Sequence, residues 1–148
     1  MKRIYSEKDL KSYTYMGRIL SDLDLDKKDY LWLISNIEAY PQNKKYQKLI
    51  NGKSYLLLTT SELISMLKEE DFQWIWAVFS AIPSSYTKED ILKYNLPCLE
   101  CIDDVTKIQH PFAELEIYAV DSSYMLMVSD SDELIDKFKK CYPKYIEE

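Results

Sequence analysis

The segment Phe72 to Ile82, FQWIWAVFSAI, is apolar in both alternating registers of an extended chain. Trp74, Trp76 and Val78 fall on one side, and Ile75, Ala77, Phe79 and Ala81 on the other. A strand with one wet face alternates apolar with polar residues, so a strand of this composition belongs at the centre of a sheet. The remaining elements must be arranged around it.

Upstream, Leu10, Tyr13, Met16 or Gly17, Leu20 and Leu23 recur at spacings of three and four, which predicts an amphipathic helix from about Ser6 to Leu25, with Ser6, Glu7 and Asp9 at its N-terminus. Tyr30 to Glu38 reads as a strand ended by Tyr40-Pro41, and Gln42 to Lys45 as a loop. Asn51-Gly52 supplies the positive φ pair of a type I′ hairpin, with Tyr55 to Leu58 as the better of its two strands. Thr59 and Glu62 form a capping box before Leu63, Ile64 and Leu67, on a helix that should end near Asp71.

Beyond Pro83, Thr87 and Asp90 cap a short helix stopped by Leu96-Pro97, and Cys98 to Pro111 reads as a surface connection. Glu114 to Val120 alternates, which predicts a half-exposed strand with Glu114, Glu116 and Tyr118 outward. Asp121-Ser122-Ser123 turns the chain into a strand from Tyr124 to Val128. Asp130 and Glu133 cap a last helix bearing Leu134, Ile135, Phe138 and Cys141, with Lys137, Lys139 and Lys140 placed favourably for its dipole. The order predicts a single α+β domain over residues 1–148, with a mainly antiparallel or mixed sheet and helices packed on one face.

The chemistry available is narrow. One histidine, His110, two glycines, Gly17 and Gly52, and two arginines, Arg3 and Arg18, leave little for proton transfer, phosphate cradling or anion clamping. The formal net charge of −6 argues against nucleic acid and for a basic partner. No uncharged run approaches the roughly 20 residues that span a bilayer, and the charged N-terminus does not read as a signal peptide. With three cysteines, the chain suits a reducing, cytoplasmic setting.

Cys98, Cys101, His110 and Cys141 offer four possible zinc ligands, but only Cys98-x-x-Cys101 has a ligand spacing, so no metal or other cofactor is expected. Asp22, Asp24 and Asp26 begin like a calcium loop that fails at Lys27 and Leu33, and read instead as an acidic turn. Glu114 and Glu116 on one strand face would lie about 7 Å apart, a spacing compatible with acid–base work. Ser122-Ser123 with His110 is the other catalytic combination, without the glycines of a nucleophile elbow. An outward polar edge accounts for the glutamates and a plain turn for the serines, so an enzyme is not expected. Tyr5, Tyr13, Tyr15, Tyr40, Tyr46, Tyr86 and Tyr94 lie in polar neighbourhoods, where rigid rings suit a protein interface as well as the margin of a core.

Through Trp76-Ala77-Val78-Phe79-Ser80-Ala81-Ile82-Pro83 and Ala113-Glu114-Leu115-Glu116-Ile117-Tyr118-Ala119-Val120-Asp121-Ser122-Ser123-Tyr124, the second half of the chain resembles small Firmicute immunity proteins encoded beside LXG-type polymorphic toxins. The first half, from Ile19-Leu20 to Tyr30-Leu31-Trp32, resembles an uncharacterised Firmicute family of similar size. The first resemblance implies a cytoplasmic antitoxin that binds and blocks the C-terminal domain of a cognate toxin, often a nuclease. An acidic, tyrosine-bearing surface suits the basic site of such a domain, and Asp22, Asp24, Asp26, Glu69, Glu70 and Asp71 are the candidate contacts. The competing expectations are a housekeeping protein-binding module and a small hydrolase.

Overall fold

Among the described residues the expected central strand is the third of seven in one antiparallel sheet, paired on both sides. The computed structural model describes residues 2–6, with only Ile4 among their side chains, together with 14–100 and 107–147. The strands are β1 (Lys2–Ser6), β2 (Tyr30–Ala39), β3 (Tyr55–Thr59), β4 (Trp74–Pro83), β5 (Leu115–Val120), β6 (Tyr124–Ser129) and β7 (Tyr145–Glu147). Their spatial order is β3-β2-β4-β5-β6-β1-β7, every pair antiparallel. Five helices accompany them among the described residues: α1 (Met16–Asp22), α2 (Lys44–Ile50), α3 (Thr60–Glu69), α4 (Lys88–Ile91) and α5 (Asp132–Cys141), with a 3-10 turn at Leu25–Lys27. The fold is α+β, as the sequence predicts.

Helices α1, α3 and α5 cover the first face, where Met16, Ile19 and Leu20, Leu63, Met66 and Leu67, and Ile135 and Phe138 meet Trp32, Ile34, Phe79, Ile117, Met125 and Met127 of the sheet. Each such side chain withdrawn from water contributes on the order of 1.5–3 kcal/mol before the entropy of ordering is counted. The second face is covered too, which the sequence reading did not expect. Val78, Tyr118, Leu126 and Val128 lie under Leu99 and Ile108, while Leu33 and Ile82 lie under Ile91 of α4 together with Leu96 and Phe112. The described parts of the expected surface connection, 98–100 and 107–111, therefore cover the sheet, and β5 beneath them is buried at all of its residues rather than half-exposed.

The two tryptophans of β4 part company. Register shifts against β2 carry Trp74 onto the first face with Ala77 and Phe79, while Trp76 packs on the second. In the β2 register Glu38 faces Trp76 and Ala39 faces Trp74, so Ile75 is the extra, bulged residue that turns the side chains over. Its carbonyl accepts the amide of Ser122 at 3.2 Å, which fastens the bulge to the β5–β6 turn. That turn runs through Asp121 and Ser122 at φ 48° and 58°.

Several local expectations shift. Ser6 ends a strand rather than opening a helix; residues 7–13 lie outside the described residues, and α1 begins at Met16. The stretch read as a loop contains the start of α2, whose N-cap Asn43 accepts the amide of Lys45 at 2.9 Å. Asn51 has φ −59° and only Gly52 is left-handed, at φ 71°, so Asn51-Gly52 terminates α2 and turns no hairpin. The capping box of Thr59 and Glu62 is present, and α3 ends at Glu69. Thr87 caps α4 through the amide of Asp90. At α5 the cap is Ser131, one residue beyond Asp130, accepting the amide of Leu134 at 3.2 Å.

Candidate functional site

A cleft of about 410 Å³ opens where the 3-10 turn and α5 stand over the Leu115–Ser129 end of the β5–β6 pair. Leu23, Leu25 and Leu134 line it, and its charged groups are Asp24, Glu114, Glu133, Lys28 and Lys137. Asp24 is held by a left-handed backbone at φ 54° and forms an ion pair with Lys137 of α5. Both side chains of that pair are substantially exposed, so it adds little to stability. Glu114 accepts the hydroxyl of Tyr30 at 2.7 Å. Partial burial and the neighbouring carboxylate hold that phenol protonated far above the ordinary tyrosine range, which fixes Tyr30 as a donor. Three carboxylates and two lysines leave the cleft lining with one negative charge in excess.

Of the six candidate contacts, only Asp24 lines this cleft. Asp22 faces α5, accepting the hydroxyl of Tyr142 at 3.0 Å on its carboxylate and the thiol of Cys141 at 3.3 Å on its carbonyl. Asp26 and Asp71 line a smaller cleft with Gly17 and Lys68. Asp71 caps α1 by accepting the amides of Gly17 and Arg18, and burial raises its pKa against the opposing pull of those two bonds. Glu70 accepts the amides of Gln42 at 2.7 Å and Asn43 at 2.9 Å, and Glu69 accepts the hydroxyl of Tyr46. The acids from 69 to 71 thus organise the starts of α1 and α2, and Asp22 ties α1 to α5.

The other sequence candidates are likewise occupied. Glu114 and Glu116 do not face one space: Glu114 is exposed beside Tyr30, whereas Glu116 is fully buried beneath the second-face cover. There its carboxylate accepts the hydroxyl of Ser80 at 2.6 Å, the amides of Gln109 and His110, and the hydroxyl of Tyr118 at 3.2 Å. Gln109 in turn bonds both main-chain groups of Cys98, and Ser35 and Asn36 both donate to the carbonyl of Pro97. His110 is buried, with Nε2 against the carbonyl of Ile91 at 2.9 Å and Nδ1 accepting the amide of Phe112 at 3.1 Å. Ser123 Oγ donates to the carbonyl of Asp121, so neither ring nitrogen nor hydroxyl is arranged as a nucleophile and its base.

Cys98 packs with the cover and Cys141 with α5, while Cys101 lies outside the described residues. Among the described residues no group of three or more His, Cys, Asp or Glu side chains is placed to hold a metal ion. Tyr40, Tyr86 and Tyr94 are exposed, Tyr46 is buried, and the side chains of Tyr5 and Tyr13 lie outside the described residues. The tyrosine at the cleft, Tyr30, sits inside an apolar strand pattern and carries no sequence mark of its role. Glu133 and Lys137 read in sequence only as a cap and a dipole partner, and only the packing of α5 against the 3-10 turn brings them to Asp24. Comparison of the chain with protein-family models, with curated proteins and with solved structures finds no match.

Proposed function

We propose that this chain is a cytoplasmic immunity protein that binds and inhibits the toxic C-terminal domain, a nuclease, of a cognate LXG-type toxin. The observation that carries the reading is the cleft, lined by Asp24, Glu114 and Glu133 with Lys28 and Lys137, where Tyr30 holds Glu114 by its hydroxyl. A lysine or arginine from a phosphate-binding site fits such a recess, and the surplus carboxylates speed encounter with a basic surface. The engagement of His110 in packing, with both ring nitrogens bonded, favours a binding protein over a hydrolase. Among the described residues no helix is long and apolar enough to cross a membrane.

The test is association and dissociation kinetics with the neighbouring toxin domain, at low and high salt, for wild type and for Glu114→Lys with Glu133→Lys. The expected result is inhibition by wild type and an association rate about 10-fold slower in the variant at low salt, with the difference shrinking as salt rises. Tight binding indifferent to both substitutions moves the contact away from the cleft. No binding to such a domain removes the immunity reading, and a basic host protein captured through the same cleft replaces it with a housekeeping module.

A further inference from the structure

The two edges of the sheet are unlike. One is closed by β7, only three residues long. The other is β3, Tyr55-Leu56-Leu57-Leu58-Thr59, which has β2 on one side and, among the described residues, no strand on the other. The amide of Thr59 is taken by Glu62 of the capping box at 3.0 Å, so it points away from β2. Main-chain groups alternate in direction along an antiparallel strand, and those of Leu57 and Tyr55 therefore also turn outward. Open edges invite pairing, and proteins usually protect them with a charge, a proline or a bulge on the strand itself. The five residues of β3 include neither a charge nor a proline, and its pairing with β2 is regular.

A groove of about 400 Å³ follows this edge, lined by Leu49, Leu57 and Leu58, with Lys53 and Lys88 at its sides. Among the described residues those lysines are the only charged ones lining it, in a chain whose net charge is −6. We propose that the β3 edge is a strand-addition site, which takes an extended, acidic segment of a partner protein as an eighth strand paired at Tyr55 and Leu57. Main-chain bonds would supply the affinity, and carboxylates seated on Lys53 and Lys88 the selectivity. A second copy fits less well, because two like lysine-lined grooves would oppose each other where an acidic segment would be attracted. The inference goes beyond the toxin reading and stands without it, since the edge differs from the acidic cleft in place and in sign.

The probe is a short, end-blocked peptide of alternating valine and threonine carrying two glutamates, with a lysine-for-glutamate peptide as control, followed by fluorescence anisotropy and by amide shifts of the protein. The expected result is saturable binding with Kd on the order of 100 μM, shifts centred on Tyr55 and Leu57, and at least about 10-fold weaker binding of the control. Leu57→Pro removes the outward amide without touching the ladder to β2, and should weaken binding by about 10-fold or more. Lys53→Glu with Lys88→Glu changes exposed side chains only, and should do the same with the fold intact. The proposal is overturned if the acidic peptide does not bind, if both peptides bind alike, or if binding survives both variants. It is also overturned if the protein alone forms a concentration-dependent dimer that Leu57→Pro abolishes, because the occupant is then a second copy, or if the lysine variant self-associates, because the lysines are then guards.

Discussion

The carboxylate of Asp71 occupies the space that a side chain on Gly17 would need: a Cβ there would lie 2.8 Å from both Cγ and Oδ2. The same carboxylate accepts the Gly17 amide at 3.0 Å, so the glycine is required by a helix cap and not by a turn. Gly17→Ala should therefore destabilise the protein by about 1–3 kcal/mol, although alanine is the better helix former, because the cap must be displaced. Urea unfolding with an unchanged m-value checks it, and a stabilised variant would mean that Asp71 can move at no cost.

Asp71 also gives stability a pH signature. Burial raises its folded pKa above the ordinary 3.8, so the fold binds the proton more tightly than the unfolded chain does. Its contribution is fully present below the ordinary value and is lost as pH rises through the folded value. Wild type should accordingly gain stability relative to Asp71→Asn as pH falls from neutrality into the carboxylate range. Paired unfolding curves across that range read the slope, and the opposite slope would show that the cap bonds outweigh burial.

Replacing Glu116 with glutamine should be costly. Ser80, Gln109, His110 and Tyr118 all direct donors at this buried carboxylate, and an amide would offer them one oxygen and an NH₂ that can only donate. The expected loss is about 2–4 kcal/mol, against about 1 kcal/mol for Ser80→Ala, which removes a donor and leaves the carboxylate its other partners. Hydrogen exchange should show the loss concentrated at residues 107–110. Equal losses in the two variants would count against the convergence of donors on Glu116.

Cys141 should be a slow thiol. Burial first, and then the negative charge of Asp22, push its pKa up, and its Sγ donates to the Asp22 carbonyl. Iodoacetamide should modify it in the folded protein at least about 10-fold more slowly than in denaturant, as measured by mass spectrometry of the tryptic peptide.

What could be read from the sequence is what depends on neighbours along the chain. The Thr59–Glu62 box, the Thr87 cap and the turn at Asp121-Ser122-Ser123 follow from local chemistry and appear in the structure. So does the central position of β4. Strict alternation misassigned Trp74 because a bulge at Ile75 inverts the pleat, and only pairing with β2 creates that bulge. Alternation also placed Glu116 and Tyr118 in water, since an apolar/polar pattern does not reveal a distant cover that brings its own donors. The cleft was illegible for a related reason: Asp24, Tyr30, Glu114 and Lys137 are scattered along the chain, and each looks ordinary beside its own neighbours.

The pairing of Ile4 with Met127 in the sheet has a consequence for synthesis. During translation β1 emerges early, yet its partners β6 and β7 leave the ribosome more than a hundred residues later. Contacts this distant in sequence close late, after a long loop entropy has been overcome. β2, β3 and β4 can assemble on the nascent chain around Trp32, but β1 must wait until β6 has emerged. A ribosome stalled before β6 would therefore hold a sheet whose first strand is still unpaired, exposed to chaperones and proteases until β6 emerges.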